Sequence, residues 1–248
     1  LIWNPNNGGW DVGELLPFES TAQSQAAKSI GWATAISDNA ATGYDREFVA
    51  GAVGHALNND QSEPDFGSIT DLHAAVWTHT SSDTEWQRED LSIGTLAEAA
   101  PYSGAEDVND LGQVVGWVGN LAPWTGSSFV DVFDYFDSRD LPMTTNLITA
   151  PVIWLPGDTA HEVAHLLDDT DQDEVSYVAG NALAIANDGS VVVGWGSDGD
   201  FASPAALAWI AGNGAWAEGT DTLINLQSEM QSGLTAGADS ISGSIAES

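Results

Sequence analysis

The chain has 248 residues, enough for one repeat-built domain or two ordinary ones, and 43% apolar residues with 11 Trp are ample for a packed core. Against 37 Asp and Glu stand only 4 Lys and Arg, and a net charge of −33 excludes nucleic acid and anionic membrane as partners, since both need a basic patch. No Cys is present to staple the fold, and no run of about 18 apolar residues could span a bilayer. Such an acid excess suits solubility in high salt, where screening relieves self-repulsion, or the binding of divalent cations.

The chain opens at Leu1, without Met and inside a repeat, and is read as a processed product. Leu1-Ile-Trp3 and Gly9-Trp-Asp-Val-Gly-Glu-Leu15 read as two short strands around an Asn-Pro-Asn-Asn-Gly-Gly turn. Next comes a loose copy of a two-strand pattern between Gly31 and Val53, with Ala35-Ile-Ser-Asp38 before its turn and Phe48-Val-Ala-Gly51 after it. The pattern is clearest in Gly104-Ala-Glu-Asp-Val-Asn-Asp-Leu-Gly-Gln-Val-Val-Gly-Trp117 and Gly180-Asn-Ala-Leu-Ala-Ile-Ala-Asn-Asp-Gly-Ser-Val-Val-Val-Gly-Trp195. A shrunken copy, Gly237-Ala-Asp-Ser-Ile-Ser-Gly-Ser-Ile-Ala246, closes the chain.

A second pair of runs follows each of the first three copies. One ends in Trp77, Trp154 or Trp209; the other holds Asp90-Leu91, His165-Leu-Leu167 or Asn225-Leu226. The unit is therefore four short strands, here termed a to d, bounded by Gly, Asn, Asp and Pro. Units of this kind predict an all-β fold, a β-propeller of about four blades in one domain over 1–248. Full units cover 31–96, 104–167 and 180–226, and the segments 233–248 and 1–15 share the last blade across the seam. A fragment of a larger propeller is the alternative. The longest loops are b–c or d–a connections, which share one face of an up-and-down blade, and that face is expected to bind.

These residues resemble the HAF-family extracellular repeat of bacterial and archaeal secreted and surface proteins. The likeness lies in His73-Ala-Ala-Val-Trp77, Asp90-Leu-Ser-Ile-Gly-Thr-Leu96 and Val108-Asn-Asp-Leu-Gly-Gln-Val-Val-Gly116. It implies a propeller-like fold and an extracellular or cell-surface location, and it implies no activity.

Three stretches could carry chemistry. His161-Glu-Val-Ala-His165 matches the zinc-peptidase pattern, in which His161 and His165 on one helix face hold Zn²⁺ and Glu162 is the general base. The repeat frame instead puts this segment on strand d, with His165 where Asp90 stands in the first full unit, and no third ligand is evident. Asp169, Asp171 and Asp173 alternate as in Ca²⁺ loops. Glu174 and Gly180 exclude an EF-hand, leaving a looser Ca²⁺ or Mg²⁺ loop or a solvated acidic turn. Trp124, Phe129, Phe133, Tyr135 and Phe136, in the insertion 120–149, either dock a protein or polysaccharide or form a private mini-core.

The expected function is therefore a secreted or surface scaffold that binds or self-associates without catalysis. A zinc-dependent metallopeptidase is the alternative, and a glycan-processing propeller a third reading resting on fold analogy alone. The charge gives the first test. Thermal unfolding should shift to higher temperature between salt-free EDTA buffer and molar salt, because −33 charges must be screened; an unchanged midpoint would contradict this.

Overall fold

The structure, a computed structural model, describes residues 5, 6, 9, 10, 27–37, 46–57, 69–98, 102–119, 149–167, 179–197, 205–212, 216, 222–226, 229 and 230. They are almost wholly β. A small hairpin pairs β1 (Pro5–Asn6) with β2 (Gly9–Trp10). Its strands use residues that the sequence pattern assigned to the turn, so the hairpin is tighter than expected.

Three four-stranded antiparallel sheets follow, each an uncrossed meander. Sheet 1 contains β3 (Ala27–Ile36), β4 (Arg46–Leu57), β5 (Ile69–Thr80) and β6 (Gln87–Asp90). Sheet 2 contains β7 (Tyr102–Val108), β8 (Val114–Gly119), β9 (Thr149–Trp154) and β10 (His165–Leu166). Sheet 3 contains β11 (Ala179–Ile185), β12 (Val191–Ser197), β13 (Ala205–Ile210) and β14 (Thr222–Asn225). These are strands a to d of the three full units. A 3-10 turn at Gly94–Glu98 is the longest helical stretch among the described residues.

The a–b connections are tight because of a glycine. Gly112 N–H bonds Asn109 O and Gly189 N–H bonds Ala186 O, and both glycines lie in the left-handed region, at φ 78° and 72°. A side chain there would be strained. The Asn-Asp pairs that seemed equivalent are offset by one residue: Asn109 opens its turn, whereas Asn187 is second in its own. Asn109 Oδ1 accepts the Leu111 and Gln113 N–H groups, and Asp188 Oδ1 accepts the Ser190 N–H, so both turns are capped by their own side chains.

One irregularity recurs in all three sheets. The a–b ladder slips between Ala33 and Ala35, between Ala105 and Asp107, and between Ala182 and Ala184. Each slip is a β-bulge whose extra residue is Thr34, Glu106 or Leu183. Across from it stands Gly51, Gly116 or Gly194, where any Cβ would overlap the carbonyl oxygen of Trp32, Gly104 or Asn181. The glycine of each Val-Gly or Ala-Gly pair in strand b is thus dictated by the bulge opposite.

Packing joins the sheets face to face. Phe48, Ala50, Ala74 and Val76 of sheet 1 meet Val114, Val118, Val152 and Trp154 of sheet 2. Val115, Ile153 and Leu167 of sheet 2 meet Val192, Leu207 and Trp209 of sheet 3. Each strand-c tryptophan here faces the preceding sheet. Trp77 has no described preceding sheet, and it clusters with Val49, Val53, Ala75 and Trp86 on the face turned from sheet 2.

The bulge makes a test. Gly116→Ala must push the Gly104 carbonyl away and break the a–b ladder, so it should destabilise the protein by about 3 kcal/mol in a urea titration. Equal stability would mean that the bulge is not required.

Candidate functional site: the inter-sheet polar groups and the His161 segment

The first strands of successive sheets, β3, β7 and β11, lie next to one another, and the bulge residues reach across the gaps. Thr34 Oγ1 donates to Ala105 O at 2.8 Å. Glu106 Oε1 accepts two N–H groups at 3.2 Å each, from Trp117 of its own sheet and from Asn181 of sheet 3. Its neighbour Asp107 accepts the Ile185 N–H of sheet 3 at 2.9 Å through Oδ2 and its own Val108 N–H through Oδ1. Asn109 adds a further link, donating from Nδ2 to Ala186 O at 3.0 Å.

These carboxyls are held in a partly dry place. Burial pushes Glu106 above the ordinary value of 4.5, and the hydrogen bonds from Asn181 and Trp117 only partly offset it. Burial likewise raises Asp107 above 3.8 against the Ile185 and Val108 N–H groups. Asp110, in the sheet 2 turn, is 2% exposed, and neither of its oxygens has a hydrogen-bond partner among the described residues.

A second polar cluster crosses from sheet 2 to sheet 1. The loop between β9 and β10 runs along the end of β6. His161 N–H donates to Glu89 Oε1 at 2.6 Å, its Nδ1 lies 2.9 Å from Glu89 Oε2, and its Nε2 lies 2.8 Å from Gly112 O. Burial alone would raise the Glu89 carboxyl. The bonds from the His161 ring and backbone, with the ring's charge, outweigh that and leave it below 4.5. Nearby, Ser92 O accepts both Trp154 Nε1–H and Ala164 N–H at 3.0 Å. On the other side of β6, Arg88 grips Asp90 through Nε at 2.7 Å and Nη2 at 2.9 Å. His73 Nε2 sits 3.3 Å from Asp90 Oδ2.

The His-Glu-x-x-His segment is therefore extended. His161 forms a bridge with Pro156, and His165 begins β10. Both His161 ring nitrogens are engaged elsewhere, and His165 Nε2 contacts Glu162 at 3.4 Å, so the histidines do not converge on one point. No cluster of three or more His, Cys, Asp or Glu suited to a metal occurs among the described residues. The register also corrects the repeat alignment. Asp90 pairs with Ala75, two residues before Trp77, while His165 pairs with Ile153, one before Trp154. The counterpart of Asp90 is Leu166, and that of His165 is Glu89. Asp169, Asp171 and Asp173, and the aromatics Trp124, Phe129, Phe133, Tyr135 and Phe136, lie outside the described residues.

Comparison with protein-family models, with curated proteins and with solved structures finds no match. The functional reading rests on the geometry above. Sequence reasoning passed over Glu106, Asp107, Asn181 and Glu89. The one available signal was a charged pair inside the Ala-x-x-Val pattern of the second copy, where the other copies carry Thr34-Ala35 and Leu183-Ala184.

A carboxyl raised on folding stabilises in its protonated form. Its contribution is full below about pH 4.5 and is lost as pH rises through the raised folded value. Glu106→Gln, which keeps an acceptor for Asn181 and Trp117, should raise the thermal midpoint at pH 7.5 and have no effect at pH 4. The opposite pH dependence in a calorimetric scan would refute the assignment.

Proposed function

We propose that the chain is a secreted or cell-surface β-propeller that binds a protein or polysaccharide without catalysis, its three sheets completed by a fourth from 233–248 and 1–15. The observation that carries this reading is the direction of the strand-c tryptophans. Trp154 faces sheet 1 and Trp209 faces sheet 2, so Trp77 presents an apolar face to whatever precedes sheet 1. At the other end, alternation turns Val193 and Ile210 away from sheet 2, and they stand 38% and 36% exposed. A sheet inserted between these two faces would cover both, and a ring removes the exposed end faces that an open stack keeps.

The binding reading follows from where the polar groups are committed. His161, Glu106 and Asp107 each bond a neighbouring sheet, which makes them joints. The antiparallel meanders put the a–b and c–d connections at one end of every sheet and the b–c gaps 58–68, 120–148 and 198–204 at the other. The aromatic insertion leaves sheet 2 after Gly119 and returns at Thr149, at the end opposite the left-handed turns and the His161 joint, as a partner-binding loop on a rigid scaffold would.

Deleting 233–248 tests the closure. The full chain should be monomeric by light scattering, and the shortened chain should lose at least several degrees of thermal stability or associate through the face of Val193 and Ile210. A shortened chain as stable and as monomeric as the full one would overturn the proposal.

A further inference from the structure

The two c–d loops of sheets 2 and 3 perform one task with different rings. In sheet 3, Trp216 is buried and its Nε1–H donates at 2.7 Å to Gly189 O, the carbonyl of the left-handed turn glycine. In sheet 2, His161 Nε2 meets Gly112 O, the matching turn carbonyl, at 2.8 Å. A carbonyl only accepts, so Nε2 carries a proton, as an indole nitrogen always does. Imidazole has a second nitrogen that indole lacks, and it points across the sheet boundary at Glu89 Oε2, 2.9 Å away. Glu89 Oε2 accepts as well, because the bonds from His161 hold this carboxyl below 4.5 and so in its ionised form.

We propose that His161 works as a doubly protonated clamp between sheets 1 and 2, closed only while its Nδ1 carries a proton. A neutral ring with its proton on Nε2 would turn a lone pair toward a carboxylate. A neutral ring with its proton on Nδ1 would turn one toward the Gly112 carbonyl. The imidazolium alone satisfies both acceptors. The ring side chain is 5% exposed and Glu89 is 29% exposed, so water replaces neither bond readily.

Of the surrounding ionisable groups, Asp90 opposes the pair, its charge raising the Glu89 carboxyl against the stronger effect of the His161 bonds. Arg88 and Asp90 of β6 bond each other. Glu162 and His165, on the clamp's own segment, contact each other at 3.4 Å. Asp110 shares the turn whose carbonyl His161 holds, and its oxygens have no hydrogen-bond partner among the described residues. The pH limits follow. The clamp is lost on the alkaline side when Nδ1 gives up its proton. It is lost on the acid side when Glu89, held below 4.5, takes one up. What it would release is the sheet 1–sheet 2 seam beside Ser92 O, where Trp154 and Ala164 are anchored.

The test is nitrogen NMR of the histidine rings together with thermal unfolding across pH, on the full chain. The His161 ring is expected to show two protonated nitrogens at the pH of greatest stability. The wild-type midpoint should fall by several degrees as that ring titrates. That fall should be absent in His161→Gln and reduced in Glu89→Gln, while His55, His73, His79 and His165 remain as a common background in both variants. A His161 ring with an unprotonated Nδ1 at the pH of greatest stability, or variants that keep the wild-type pH slope, would overturn the clamp. If His161→Gln does not fold, the wild-type ring spectrum decides alone.

Discussion

A backbone carbonyl that leaves no room for a Cβ is the constraint on which the array depends. At each inner-strand bulge, the oxygen of Trp32, Gly104 or Asn181 fills the space where a side chain of strand b would begin, and only glycine fits. In exchange, the bulge turns one extra residue out of its own ladder. In two of the three sheets that residue becomes the bond to the next sheet: Thr34 reaches Ala105 O and Glu106 reaches Asn181. A local defect in pairing thereby supplies the contact between neighbouring sheets, and the glycine is its sequence trace.

The molecule also shows what an acidic chain does with few cations. With 37 acids and 4 Lys and Arg, most carboxylates have no basic side chain to meet. Arg88 with Asp90 is an ordinary ion pair. Glu89, Glu106, Asp107 and Asp188 instead take N–H groups from histidine, asparagine, tryptophan and the backbone. Such bonds are short and directional, and salt weakens them less than it weakens a pair of exposed charges. Bulk salt can therefore relieve the repulsion among surface acids while leaving these joints in place.

The order of strands within each sheet could be read from the chain because its markers are strong and local. Two valines before a glycine, a tryptophan ending strand c, and glycine in the a–b turn each follow from packing or from backbone geometry. The register of strand d could not be read. β10 is two residues long, and Leu166 and Leu167 are equally good candidates for the inward leucine, so the alignment of His165 slipped by one. The polar joints were hidden for a different reason. Glu89 lies 72 residues from His161, and no local pattern announces a partner at that distance. The His-Glu-x-x-His motif was conspicuous because its letters are rare together, yet its meaning depends on backbone shape, and an extended backbone separates what a helix would gather.

The tryptophans give the stack a direction. Trp154 and Trp209 look backward along the chain, and the faces they meet, around Val76 and Val115, look forward. A stack built this way has two unlike ends. Contact between one copy's first sheet and another's last is heterologous, so a two-fold axis could not relate the two copies. Any contact of this kind would join one protomer's first sheet to another's last, and would repeat in the same sense with every copy added. A ring closed within one chain, as proposed above, would use up both ends, so the closure that completed the core would also stop growth into a filament.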